Sequence, residues 1–242
     1  MRVLFIEPPK DFWFVMGEYL PPPTVALQVA AHLEVECPQD EITVLDCQAE
    51  RLDWSDMVKR IEAERPHLVA VSSLAMCNAF TVARALDSAK KVALNAFTIT
   101  GGQHFTALAE PSLMEYPSIG AIVRGEGEET LVEVADALDK DGYFSDVLGL
   151  TYRRGLEVVS NPDRPLMRDI NALPMPGYHF VEDNLDSAKA LSMMAPKTSS
   201  SRPLYSARLA SRLWTFIMQW QTTAILLLLS SGIAFTLDEN AQ

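Results

Sequence analysis

The sequence predicts a doubly wound α/β fold: a five-stranded parallel sheet, followed by a β-hairpin and an irregular C-terminal tail. Three observations predict it. Short apolar, β-branched runs recur five times within the first 140 residues, each with the length and composition of a strand buried on both faces. A helical segment separates each run from the next. Such alternation implies parallel strands joined by right-handed crossovers, with helices on both faces of the sheet.

The strand runs are Val3–Ile6, Ile42–Leu45, Leu68–Val71, Phe97–Thr100 and Ala121–Val123. The helical segments are Thr24–Leu33, Trp54–Glu64, Asn78–Val92, Thr106–Glu115 and Glu128–Leu138. In the last of these, Leu131, Glu133, Val134, Ala137 and Leu138 follow the three-to-four spacing of an amphipathic helix. Next, Gly149–Tyr152 and Leu156–Val159 flank Arg153-Arg154-Gly155, a hairpin pattern with glycine at the turn. From Asn161 to Gly177, four prolines (Pro162, Pro165, Pro174, Pro176) mark an extended connector leading to another module. The expected organisation is an α/β domain of Rossmann or flavodoxin-like type at 1–145, a hairpin and connector at 146–180, and an atypical tail at 181–242.

The tail is unlike the rest. Residues 213–237 carry no charge, three arginines (Arg202, Arg208, Arg212) precede them, and Asp238-Glu239 follow. By length this segment suits a C-terminal membrane anchor with its basic flank in the cytoplasm. Eight of its residues are Thr, Ser or Gln, which weakens insertion and leaves two alternatives: an apolar packing helix, or a tail foreign to the fold.

Composition sets the function classes. Hydrophobic residues make up 48% and charged residues 21%, which excludes wholesale disorder. The net charge is −12, and because residues 196–242 contribute a local +2, the first 195 residues carry −14. A surface that acidic repels phosphate backbones, so no nucleic-acid partner is expected. The three cysteines (Cys37, Cys47, Cys77) form neither a CxxC nor a zinc-type cluster. That usage suits a reducing cytoplasm, and Met1–Glu7 is too short and too soon charged for a signal peptide. A cytoplasmic location follows, with the C-terminal anchor as its alternative.

In doubly wound sheets, ligands bind beyond the carboxyl ends of the strands. Candidate site residues are therefore those just after each strand. Pro8 and Pro9 follow the first, ahead of a loop rich in aromatics (Phe12, Trp13, Phe14, Tyr19). Ser72, Ser73 and Leu74 follow the third, and small hydroxyls there offer hydrogen bonds without filling space. Gly101 and Gly102 follow the fourth, with His104 close behind; absent Cβ atoms admit a large flat ligand against the backbone. Gly125, Glu126 and Gly127 follow the fifth in a tight strand-to-helix turn. Glu128 and Glu129 then sit at the positive start of a helix, where Glu126 and Glu128 read as capping groups rather than an acid/base couple. His32, His67 and Cys77 read as structural. No residue reads as catalytic or as a metal ligand. GxGxxG after the first strand and the P-loop pattern are both absent.

Taken together, Ser72-Ser73-Leu74, the GGQH run at 101–104 and the stretch Val123-Arg124-Gly125-Glu126-Gly127-Glu128-Glu129-Thr130-Leu131 resemble the N-terminal cobalamin (B12)-binding domain of class B radical SAM proteins. The resemblance covers about residues 1–180 and implies cobalamin as cofactor and ligand. It implies that the serine-x-leucine and glycine-pair loops line the pocket for the nucleotide tail. No DxHxxG motif is present, so the resemblance implies base-off cobalamin without a histidine ligand, its lower face resting on side chains such as Leu74, Met76 and the 12–20 loop. In that family a barrel with CxxxCxxC holds a 4Fe–4S cluster. This sequence has no such motif and no cysteine beyond Cys77. The expectation is a cobalamin-binding protein without its own cluster or radical chemistry, truncated or degenerate, served by a separate radical SAM subunit. The alternatives are an interaction or regulatory module with a vestigial pocket, and a membrane-tethered cobalamin carrier.

Overall fold

The computed structural model describes residues 1–9, 22–72, 79–140 and 143–181, all within one compact unit, Met1–Pro196. The proposed membrane segment 213–237 lies outside them, as do the 12–20 loop, Ser73, Leu74, Met76 and Cys77. Among the described residues no helix is long and apolar enough to cross a membrane.

Five parallel strands form as the apolar runs predict: β1 (Arg2–Glu7), β2 (Glu41–Asp46), β3 (Leu68–Ser72), β4 (Phe97–Gly101) and β5 (Ala121–Val123). Each is one or two residues longer than its apolar run or equal to it, because the polar ends Glu7, Asp46 and Ser72 still pair in the ladder. Two further strands, β6 (Leu150–Arg154) and β7 (Glu157–Ser160), are the predicted hairpin. Arg154 pairs with Glu157 across a Gly155-Leu156 turn, and Gly155 adopts φ +63°. Positive φ at the first turn position alone is the type II′ pattern that matches strand twist. The hairpin is not an appendage. It joins the sheet antiparallel to β5, with Val123 opposite Leu150 and Ala121 opposite Tyr152, giving the order β2-β1-β3-β4-β5-β6-β7.

Helices cover both faces. On one lie α1 (Thr24–Glu36) and α6 (Glu128–Asp139), burying Leu27, Leu33, Leu131 and Val134 against Phe5, Ala70 and Ile99. On the other lie α2 (Trp54–Glu64) and α3 (Ala79–Val92), with Met57, Ile61 and Leu86 packed against Leu4, Ile6 and Val69. Met57 and Ile61 stand four residues apart, so α2 has one buried stripe and an otherwise charged surface.

The segment expected as one helix over Thr106–Glu115 is instead two: α4 (Gln103–Ala107) and α5 (Ala109–Glu115), broken at Leu108. Proline explains the break. A continuous helix would set the Pro111 ring against the carbonyl of Ala107 and lose an N–H···O bond. Restarting after Leu108 puts Pro111 in the first turn of α5, where a missing N–H costs nothing.

The proline-rich connector is extended, as expected, but it does not leave the domain. From Asn161 to Gly177 it runs back across the α1–α6 face as a strap. Buried Asn161 donates its side-chain amide to the carbonyls of Phe144 (2.5 Å) and Val147 (2.8 Å), and the Gly177 N–H donates to the Leu27 carbonyl at 3.0 Å.

Candidate functional site

In the strand order, β1 stands between β2 and β3, so successive crossovers leave on opposite faces at β1 and β3. That is the position where open α/β sheets bind ligands. A cavity of about 540 Å³ opens there at the carboxyl ends of the strands, on the α1–α6 face. Its volume lies within the range of small-molecule and cofactor sites, about 300–1,000 Å³.

The residues predicted after the strands divide into three groups. Ser72, Gly101, Gly102, Gly125, Glu126 and Gly127 all line the cavity. Pro8, Pro9 and His104 do not line it. Pro8 and Pro9 are buried at the end of β1, where Gln48 Nε2 donates to the Glu7 carboxylate (2.6 Å) and more weakly to the Pro8 carbonyl (3.4 Å). His104 lies in α4 with its ring edge-on to Phe105, centroids 5.1 Å apart, and its buried Nδ1 has no hydrogen-bond partner among the described residues. Ser73 and Leu74 fall outside the described residues.

The glycines have distinct reasons. A Cβ on Gly101 would sit 3.2 Å from the Val123 carbonyl, so this glycine allows β4 and β5 to close up as much as it admits a ligand. Gly102, at φ +103°, starts α4 from a conformation that side chains disfavour. Gly125 (φ +76°) turns the chain out of β5, and its N–H donates to the Thr106 hydroxyl at 3.1 Å. Gly127 is different: its φ is ordinary, −96°. A Cβ there would project between Val29 and Val123, at 3.8 and 3.7 Å. Both are cavity walls, so the missing side chain leaves a slot in the ligand space.

The rest of the wall is apolar: Val25, Ala26 and Val29 of α1, Leu131 of α6, and Phe5, Ala70 and Ile99 of the sheet. The polar side chains of the lining are Ser72, Thr100, Gln103, Thr106, Glu126 and Glu128. Among the described lining residues there is no histidine, cysteine, lysine or arginine. Such a lining suits a largely apolar group that carries a few polar atoms. It offers no nucleophile–base pair.

The expected capping role of Glu126 and Glu128 is corrected. Gly127 is the N-cap of α6, and no side chain caps the helix. The Glu126 carboxylate accepts instead from the Met167 N–H at 2.6 Å. Two residues not among the candidate site residues also shape this region. Thr106 lines the cavity and holds the Gly125 turn. Arg124, at the end of β5, donates to the Thr151 hydroxyl, the Asn161 carbonyl and the Asp163 carboxylate (2.8 Å), fixing the turn against β6 and the strap. His32 is buried in α1 with Nε2 3.4 Å from the Glu129 carboxylate, and His67 accepts from the Arg2 N–H at 2.9 Å; neither lines the cavity.

Residues 17–135 match the B12 binding domain family. The chain is 34% identical over 194 residues to an uncharacterized methyltransferase of Pyrococcus horikoshii, a match covering 78% of this chain and 40% of that protein. It is 30% identical over 179 residues to an anaerobic magnesium-protoporphyrin IX monomethyl ester cyclase of Rubrivivax gelatinosus, covering 72% of this chain and 32% of that one. In fold it is similar to the cobalamin-dependent S-adenosylmethionine radical enzyme OxsB, solved with aqua-cobalamin and S-adenosylmethionine bound. There the TM-score is 0.63 and the identity 17%, over 77% of this chain and 25% of that one. It is also similar to the radical S-adenosylmethionine methyltransferase TsrM of Kitasatospora setae, solved with cobalamin and an iron–sulfur cluster. That comparison gives a TM-score of 0.54 and 21% identity, over 73% of this chain and 31% of that one. The chain thus spans less than half the length of each of these relatives. The segment that matches the B12 binding domain family thus contains every residue that lines the cavity except Phe5, including the glycine turns that shape it.

Proposed function

We propose that this protein binds cobalamin, with the nucleotide tail seated in the cavity and the corrin ring left outside, across the carboxyl edge of the sheet. The observation that carries the reading is the slot at Gly127, opening into an apolar cavity within the segment that matches the B12 binding family. Bound cobalamin supplies a cobalt centre able to carry a methyl group. The chain's own residues do the rest. Val25, Val29 and Leu131 exclude water from the tail. Ser72, Gln103 and Thr106 offer hydrogen bonds from the lining.

Two finer features belong to the same proposal. No histidine lines the cavity among the described residues, and DxHxxG is absent from the sequence, which supports a base-off cofactor with no imidazole from this chain on the cobalt. The sequence also contains no CxxxCxxC triad. Reductive cleavage of S-adenosylmethionine therefore calls for a cluster held outside these 242 residues, whether by a separate radical SAM subunit or by further chain, and the purified 242 residues alone are expected to transfer no methyl group.

The test is an absorbance titration of the 242-residue chain with hydroxocobalamin and methylcobalamin, beside Gly127→Leu. Leucine at 127 meets no backbone strain and fills the slot, so it blocks the ligand more selectively than a side chain at Gly102. The expected result is stoichiometric retention through gel filtration with a base-off spectrum, lost in the variant. A folded chain that retains neither corrinoid would sink the proposal and favour an interaction module with a vestigial pocket.

A further inference from the structure

The strap Asn161–Gly177 is fastened to both walls of the cavity. On the α6 side, Arg164 Nε donates to the Thr130 hydroxyl at 2.8 Å, and its terminal nitrogen pairs with the Glu133 carboxylate. Also on that side, the Met167 N–H donates to Glu126, itself a wall residue, at 2.6 Å. On the α1 side, Gln28 Nε2 donates to the Pro174 carbonyl at 3.0 Å, and the Leu27 carbonyl accepts from the Gly177 N–H at 3.0 Å. Leu27 and Gln28 lie between Ala26 and Val29, which face the ligand space. The strap is thus a cross-brace between the two elements that bound the cavity. Its four prolines stiffen it, since each fixes its own φ and restricts the residue before it.

We infer that this brace sets the width of the cavity, so that strap closure and occupancy of the cavity are one coupled equilibrium. The inference rests on the cobalamin reading of that cavity. A ligand wedged between α1 and the 125–127 turn fixes the spacing of the two anchor points and holds the strap's bonds formed. By linkage, releasing the strap weakens the ligand by the same factor by which the ligand tightens the strap. Glu126 is a positioning residue in this scheme, because one carboxylate belongs to the wall and to the strap's latch. Arg164 and Gln28 act on the strap from outside the lining.

The experiment follows amide hydrogen exchange at Met167 and Gly177 in the 242-residue chain, with and without hydroxocobalamin, while retention of the corrinoid is read independently by absorbance. Exchange at both amides is expected to slow by about tenfold on binding. Arg164→Ala and Gln28→Ala release opposite ends of the brace. Each is expected to speed exchange in the free protein and to weaken hydroxocobalamin binding by about five- to tenfold. Glu126→Gln, which keeps an acceptor for Met167, should hold the strap where Glu126→Ala does not. Hydroxocobalamin retained with unchanged exchange at Met167 and Gly177 overturns the coupling and leaves the cobalamin reading standing. No retention by the folded chain overturns both.

Discussion

Arg124 shows how far one side chain can differ from its motif. In the sequence it belongs to a stretch read for its glycines and carboxylates; in the structure it is mostly buried and holds three segments together. Its partner Asp163 is 87% exposed, so that ion pair adds little to stability. The bonds to the Thr151 hydroxyl and the Asn161 carbonyl matter more, because both residues are buried and, although Thr151 keeps its bond to the Ser160 hydroxyl, removal of the guanidinium leaves the Asn161 carbonyl without this donor. Arg124→Met is therefore expected to lower the unfolding free energy by about 2–4 kcal/mol. Arg124→Lys should recover only part of it, since an ammonium cannot reproduce the planar fork. Urea denaturation checks both, and a loss below about 1 kcal/mol for the methionine variant would contradict this account. Gly127 teaches the converse. The sequence singles it out as part of a tight turn, but its φ is ordinary, and the space its absent Cβ leaves lies between two walls of the cavity.

At the level of elements, the five parallel strands were legible because strands buried on both faces read as unbroken apolar runs. The division of α4 from α5 was also written in the sequence, at Pro111, but an apolar periodicity spanning Thr106–Glu115 hides it. The strap's latches were not legible. A bond from Gln28 or Asn161 to a distant carbonyl leaves no periodic trace, and proline content predicts an extended chain without saying where it lies. Helix ends carry a further testable case. α2 begins well, with the Asp53 carboxylate accepting from the Asp56 N–H at 2.9 Å. It ends on Arg65 in the left-handed region, φ 47° and ψ 55°. Glycine takes that conformation without a Cβ clash, and the Arg65 carbonyl that Arg2 binds would remain. Arg65→Gly should thus raise stability by about 0.5–1 kcal/mol in chemical denaturation. A destabilised variant would show that the Arg65 side chain does more than end the helix.

For the molecule as a whole, buried weak acids set the alkaline limit. Burial, reinforced by the neighbouring carboxylates Asp46, Glu50 and Glu7, pushes the Cys47 thiol up to about 12 from an ordinary 9.0. Burial likewise raises Cys37, with Asp40 adding to it, and Tyr178. Each group stays neutral in the folded state after its unfolded counterpart has ionised. Their contribution is complete below about pH 9 and falls away as pH rises towards the folded values. The thermal midpoint should accordingly hold steady from pH 7 to about 8.5 and decline beyond about 9. A midpoint unchanged up to about pH 10.5 would refute that assignment.

The placement of the hairpin has a consequence for how this protein can be cut. Ala121, Ile122 and Val123 of β5 are buried because β6 lies beside them. A fragment ending near residue 145, where the sequence suggests a domain boundary, would bare that three-residue apolar edge and its unpaired amides. With the hairpin present, the edge strand on this side of the sheet is β7, four residues long, with exposed Glu157 and with Ser160 hydrogen-bonded to Glu110 at 2.8 Å. A short, charged margin is a poor template for sheet-to-sheet aggregation, so the hairpin also guards solubility.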